Sequence, residues 1–239
     1  MFFSTYSFTC GYPLPLKTKR RKIMKATAFL IGSLFTTFAW TGASAAIIST
    51  NSITGTDPSL GNPYATGISG NANITASGIG RGAGLGASSA ADRYSARSWS
   101  TGTFDATDYF TFTLDANDGY EINFDNFVYT GTASGTGPTA FALRSSVDAF
   151  TADIGSPTAT GTTISLTAPP FQHLTAPVEF RLYGYSATGG AGTFSINDYT
   201  FNGAVGAIPE PNTLALVGVG SLLMLGNLRR TRKLTETVK

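Results

Sequence analysis

The chain has 239 residues, 28 of them Gly, with 42% apolar and only 13% charged residues, enough to bury one core of ordinary size. The formal charge is +2, but six of the 16 Lys and Arg residues lie at or before Lys25 and five lie at or after Arg229. Between Ala46 and Ile208, five arginines stand against twelve carboxylates, a net charge of −7, which excludes the phosphate-neutralising face that nucleic-acid binding needs.

The first segment, residues 1–45, reads as a signal peptide. Lys25 opens it, an apolar run follows from Ala26 to Trp40, and Ala43 and Ala45 supply the small side chains that signal peptidase accepts before its cut, which falls ahead of Ala46. The apolar run is about 15 residues where a membrane span needs about 20, so an export signal fits better than an anchor. Met1 to Ile23 lengthen the positive region, with Lys17, Lys19, Arg20, Arg21 and Lys22, unless the chain starts at Met24, the start we favour. The single cysteine, Cys10, also lies here, so the exported domain has no thiol and no disulfide.

Residues 46–206 read as one extracellular β domain. Up to about Ala106 the signals are weak. Ile47, Ile48, Ile53, Ile68 and Ile74 mark short strands, and Gly78 to Gly86 (GIGRGAGLG) reads as a flexible loop, without the strand before it or the Lys-Ser/Thr after it that a phosphate cradle requires. After Asp108 the pattern sharpens: Phe110, Phe112 and Leu114 alternate with Thr111 and Thr113 ahead of the turn-rich Asp115 to Gly119, a hairpin signal. From Tyr120 to Thr130, Ile122 and Phe124 share one parity and Phe127 and Tyr129 the other, which predicts a bulge near Asp125 or Asn126. Ala140 to Ser145, Thr162 to Leu166, Val178 to Tyr185, in which Val178, Phe180 and Leu182 alternate with Glu179, Arg181 and Tyr183, and Thr193 to Phe201 complete the expected strands. No long amphipathic helix interrupts them. The fold class expected is all-β, an antiparallel sandwich of jelly-roll type.

Few residues of this body suggest chemistry. His173 is the only histidine, which excludes sites built on two or more, and no G-x-S-x-G elbow accompanies it. Asp105, Asp108, Asp115, Asp118 and Asp125 raise structural Ca²⁺ and paired-carboxylate hydrolysis, but Gly119 falls one place too early after Asp115 for an EF-hand loop, and turn formation accounts for most of them. No catalytic, cofactor or metal residues are therefore assigned. Among the aromatic residues, Trp99, Tyr183 and Tyr185 are the glycan contacts of an alternative reading as a carbohydrate-binding module, although filling the core is the favoured role for them.

Residues 207–239 form a separate tail. Pro209-Glu210-Pro211 precedes an apolar stretch, residues 213–228, then Arg229, Arg230, Arg232 and Lys233. Those 16 residues span about 24 Å as a helix, short for a stable crossing but adequate for a temporary one, and the basic cluster keeps the C-terminus inside by the positive-inside rule. A helix packed in the core would show a polar stripe, and only Ser221 and Asn227 interrupt this one. The order Pro-Glu-Pro, short transmembrane helix, arginine-rich end resembles the PEP-CTERM sorting domain over about the last 30 residues, with Pro209, Glu210, Pro211, Arg229 and Arg230 at the matching positions. The segments GPTAFALRSSVDAF and FRLYGYSATGGAGTFSINDYTFNG also resemble the β-rich bodies commonly joined to such tails.

That resemblance implies processing by a membrane-embedded exosortase and association with exopolysaccharide and biofilm matrix. The expected protein is thus a non-enzymatic cell-surface or extracellular-matrix protein. Its partners are signal peptidase and exosortase during export and envelope or extracellular polysaccharide afterwards, and the C-terminal helix holds it transiently in the membrane. The mature N-terminus is expected at Ala46, and N-terminal sequencing of surface material checks it; an exported form starting at Met24 or earlier rejects the signal-peptide reading.

Overall fold

The structure, a computed structural model, describes residues 46–208 together with the helical positions Gly218, Gly220, Ser221, Leu223 and Met224. The signal-peptide expectation and nearly all of the sorting tail lie outside the described residues. No helix among the described residues is long and apolar enough to cross a membrane.

The described domain is all-β. Its strands are β1 (Ala46–Ser52), β2 (Ser69–Gly70), β3 (Ile74–Arg81), β4 (Gly86–Ala87), β5 (Tyr94–Arg97), β6 (Tyr109–Ala116), β7 (Tyr120–Ala133), β8 (Ala140–Ser145), β9 (Gly161–Ser165), β10 (Val178–Tyr185) and β11 (Thr193–Ala207). The only helices between them are single 3₁₀ turns at Ser146–Asp148 and Pro169–Phe171. The alternation read in β6 and β10 is realised: Phe110, Phe112, Leu114, Val178, Phe180 and Leu182 are buried while Thr111, Thr113, Glu179 and Arg181 face outward.

Two antiparallel sheets carry these strands. The four-stranded sheet has the order β3-β6-β10-β8. The seven-stranded sheet is built around β11, which pairs along one edge with β7 and along the other with β5 (Thr193 to Ile196) and then β1 (Asp198 to Gly203). β9 extends it beyond β7, β2 beyond β1 and β4 beyond β5. From β5 to β11 every successive strand changes sheet.

That alternation corrects the expected hairpin at Asp115 to Gly119: β6 pairs with β3 and β10, β7 with β11 and β9, so the turn carries the chain from one sheet to the other. A tight turn between two amphipathic strands has the same sequence signature whether the strands pair side by side or face each other across a core. The expected bulge is present, because Asn202 pairs with Asn126 and Gly203 with Phe124, leaving Asp125 as the extra residue. The glycine-rich run is not all loop: β3 continues to Arg81 through a bulge between Ala76 and Ile79. Gly78 makes that bulge at φ +86°, and a Cβ there would stand 2.1 Å from the Tyr64 carbonyl oxygen.

The core between the sheets is aromatic. Phe201 lies 4.5 Å, centroid to centroid, from Phe127, 5.2 Å from Phe180 and 5.8 Å from Phe112. At the other end Trp99 meets Phe110 edge-on at 5.2 Å and Phe194 at 5.8 Å. Such pairs add roughly 0.5–1.5 kcal/mol each to the area they bury. Phe201→Ala is expected to cost about 3–5 kcal/mol of stability, read as a lower urea midpoint. A loss under about 1 kcal/mol would mean that Phe201 is not central to the core.

Candidate functional site

Three sets of residues bear on function: the processing points at the two ends, the aromatic residues proposed as glycan contacts, and the acidic residues with His173. Of the processing points, Ala43, Ala45, Pro209, Glu210, Pro211, Arg229 and Arg230 lie outside the described residues. Ala46 is the first residue of β1, opposite Gly203. At the far end β11 stays paired through Ala207, opposite Tyr120, and the Ile208 N–H donates 2.8 Å to the Gly119 carbonyl. The next residue in the sequence, Pro209, has no N–H to donate.

The aromatic residues divide. Trp99 is 1% exposed, and its indole N–H donates 2.9 Å to the Ala96 carbonyl, so neither ring face is open to a sugar. Tyr183 and Tyr185 alternate with the buried residues of β10 and therefore lie on the outer face of the four-stranded sheet. There Phe104 covers Tyr183 at 4.7 Å and meets Tyr185 at 6.0 Å, leaving Tyr183 only 2% exposed. Two arginines complete this surface. The Arg144 guanidinium stacks 4.2 Å from the Phe104 ring and pairs with Asp153 at 2.7 Å. Arg181 lies 3.8 Å from the Phe150 ring and 4.4 Å from Tyr109, and pairs with Glu179 at 2.7 Å. The cations and rings of this patch are thus already partnered by one another, which rigidifies the sheet's outer face. Sequence reading missed Phe104, Phe150 and both arginines as members of it. Parity along β10 placed Arg181 with Tyr183, but the loop residues stacked above them carry no local signal.

Of the five aspartates only Asp105 and Asp108 come together. Asp105 accepts from the Thr107 N–H at 2.8 Å and its hydroxyl at 2.7 Å, an Asx turn, and these bonds hold its pKa below the ordinary value. Asp108 is 4% exposed and accepts from the Ser100 N–H at 2.7 Å. Asp105 and Asp108 share a cavity of about 530 Å³ with Ser100, Thr107 and the edge of Trp99. Asp115 and Asp125 lie half-buried in β6 and β7, and Asp118 is exposed in the turn between them. Among the described residues no group of three or more His, Cys, Asp or Glu could hold a metal ion. His173 sits at φ +56° on the surface, with Nδ1 2.8 Å from Glu121 and its backbone N–H donating 3.0 Å to Asn123 Oδ1.

Comparisons of this chain with protein-family models, with curated proteins and with solved structures find no match.

Burial pushes the Asp108 carboxyl above its ordinary value, against the Ser100 N–H that stabilises the charge, and the neighbouring Asp105 adds to the rise. The folded state therefore holds this proton more tightly than the unfolded chain. The stability this group contributes is present below the ordinary carboxylate pKa, about 4, and is lost as pH rises through the elevated value. Asp108→Asn, which keeps an acceptor for Ser100, is expected to flatten stability above about pH 4, seen in urea midpoints at acidic and neutral pH. Parallel pH profiles for variant and parent would show that Asp108 is not the responsible group.

Proposed function

We propose that this chain is an exported cell-surface or matrix protein without catalytic activity. In this reading it is delivered by the N-terminal signal and sorted through a PEP-CTERM-type tail by an exosortase. Its β domain then associates with envelope or extracellular polysaccharide. The observation that carries the reading is the placement of the described strands between the two expected processing points: all of them lie between Ala46 and Ala207, so none extends past the expected cut or into the Pro-Glu-Pro. Cutting at either side would leave every described strand in the sandwich.

The domain's own character supports the same assignment. It is acidic, with a net charge of −7 between Ala46 and Ile208, and free of cysteine, so its integrity does not depend on redox conditions. Within the all-β class we infer jelly-roll topology: the orders β5-β11-β7-β9 and β6-β10-β8 are those of two Greek keys wound together, with the strand that would flank β8 replaced by the loop after it. β1 and β3 are additions at the edges of β11 and β6. A ligand surface for polysaccharide lies elsewhere than at Trp99, which fills the core.

The tail is expected to work in two parts. Pro209 and Pro211 lack amide donors and fix φ, so the segment before the membrane is extended and open to a processing enzyme. Arg229, Arg230, Arg232 and Lys233 resist passage and stop export. Replacing Pro209, Glu210 and Pro211 by Ala is expected to leave an unprocessed, membrane-held precursor, detected by immunoblotting membrane and released fractions for the absence of the shift that tail removal causes. If that variant is trimmed and released as fast as the parent, the Pro-Glu-Pro is a linker and the sorting assignment fails.

A further inference from the structure

The outer face of the seven-stranded sheet differs from that of its partner. Where β5, β11 and β7 run side by side, Ser95 is opposite Ser195 and Ser195 is opposite Thr132, so three hydroxyl residues stand in one row across three strands. The Ser195 hydroxyl donates 2.9 Å to that of Ser95, both residues being buried. Thr193 and Ser134 continue the hydroxyl lining toward the next row, joined by a 2.9 Å bond from the Thr193 N–H to the Ser134 hydroxyl. These residues floor a cavity of about 220 Å³, walled on one side by Ser88 to Ala90 and by Arg93.

Arg93 is the unusual member. Its Nε is buried and has no hydrogen-bond partner, and among the described residues no carboxylate lies within ion-pair distance of it. Arg144 and Arg181, by contrast, each hold a carboxylate, while Arg81 donates 3.0 Å to the Ser59 carbonyl through Nη2 and keeps Nη1 buried without a partner beside the Tyr94 ring. A buried donor on a charged group is costly to leave unmade, and native structures satisfy such groups. The acidic side chain at the rim, Asp57, is engaged by the Ser89 hydroxyl and by the backbone N–H groups of Ser59 and Ala90, and does not reach Arg93.

We propose that this cavity binds a carboxylate-bearing sugar, a uronate unit, with the carboxylate on Arg93 and the ring hydroxyls on the Ser95–Ser195–Thr132 row. A guanidinium fork matches a carboxylate, and serine and threonine hydroxyls both donate and accept, as sugar hydroxyls require. The lining contains no aromatic ring, so selection is polar and not by stacking. At about 220 Å³ the cavity falls below the roughly 300 Å³ of typical ligand pockets, which suits a single sugar unit. The domain's net charge of −7 disfavours a dense polyanion and favours a polymer whose acidic units are spaced apart. The inference deepens the proposed association with extracellular polysaccharide and rests on that reading for the source of the sugar.

The test is calorimetric titration of the full chain, solubilised in detergent, with methyl glucuronide, methyl glucoside and acetate. Glucuronide is expected to bind at least about tenfold more tightly than either of the others, the factor that one charge-assisted hydrogen bond supplies. Arg93→Gln is expected to reduce glucuronide to the level of glucoside, Arg93→Lys to retain part of the preference, and Thr132→Val, at an exposed position, to weaken both sugars while keeping their ratio. Equal affinity for glucuronide and glucoside, acetate binding as tightly as glucuronide, or saturable binding by none of the three overturns the proposal. Should Arg93→Gln fail to fold, the ratio measured on the unaltered chain decides. Because purified chain is used, failure here leaves the sorting assignment standing, and failure of the fractionation assay leaves the sugar site standing.

Discussion

The structure depends on one strand held from both sides. β11 is hydrogen-bonded to β7 from Phe194 to Ala207, and its other edge is shared between β5 and β1. The handover coincides with a bulge: Ile196 pairs with Gly131 and Asp198 with Thr130, so Asn197 is the extra residue, and its carbonyl accepts from the Ile53 N–H at 3.2 Å. The bulge also changes parity, turning Phe194 and Ile196 inward before it and Tyr199 and Phe201 inward after it. One 15-residue strand thereby supplies both halves of the aromatic core. No other strand in the described fold ties so many elements together, and without disulfides its pairing and the burial of its apolar face are what close the sandwich.

The two outer faces answer different physical demands. On the four-stranded sheet, the arginines and aromatic rings of β6, β8 and β10 and the loops above them stack on one another, and both cations have carboxylate partners. Its polar and apolar groups are already satisfied. On the seven-stranded sheet near β5, hydroxyls stand in register beside an arginine nitrogen that is buried and unpaired. The first surface has completed its own contacts, whereas the second holds the unpaired donor on which the proposed sugar site rests.

Both ends of the described domain lie in the same sheet. Ala46 pairs with Gly203 on one edge of β11, and Ala207 pairs with Tyr120 on the other. The described domain therefore begins and ends on neighbouring strands of one sheet. The processing proposed above would leave the described hydrogen-bonded ladders intact.

Sequence alone determined what depends on neighbours along the chain. The alternation in β6 and β10, the limits of β8 and the parity change that became the bulge at Asp125 all follow from side chains within a few residues of one another. Only the tertiary structure decided which strands pair. The turn at Asp115 to Gly119 joins two sheets where its sequence signals a hairpin, and Gly78 to Arg81 is strand where glycine conceals the alternation. Trp99, for which the sequence favours core over ligand platform, is core because Phe110 and Phe194 arrive from elsewhere in the chain. The Arg93 cavity was invisible for the same reason, since Ser95, Thr132 and Ser195 are distant in sequence and meet only through β-sheet register, which side-chain identity along a single strand does not encode.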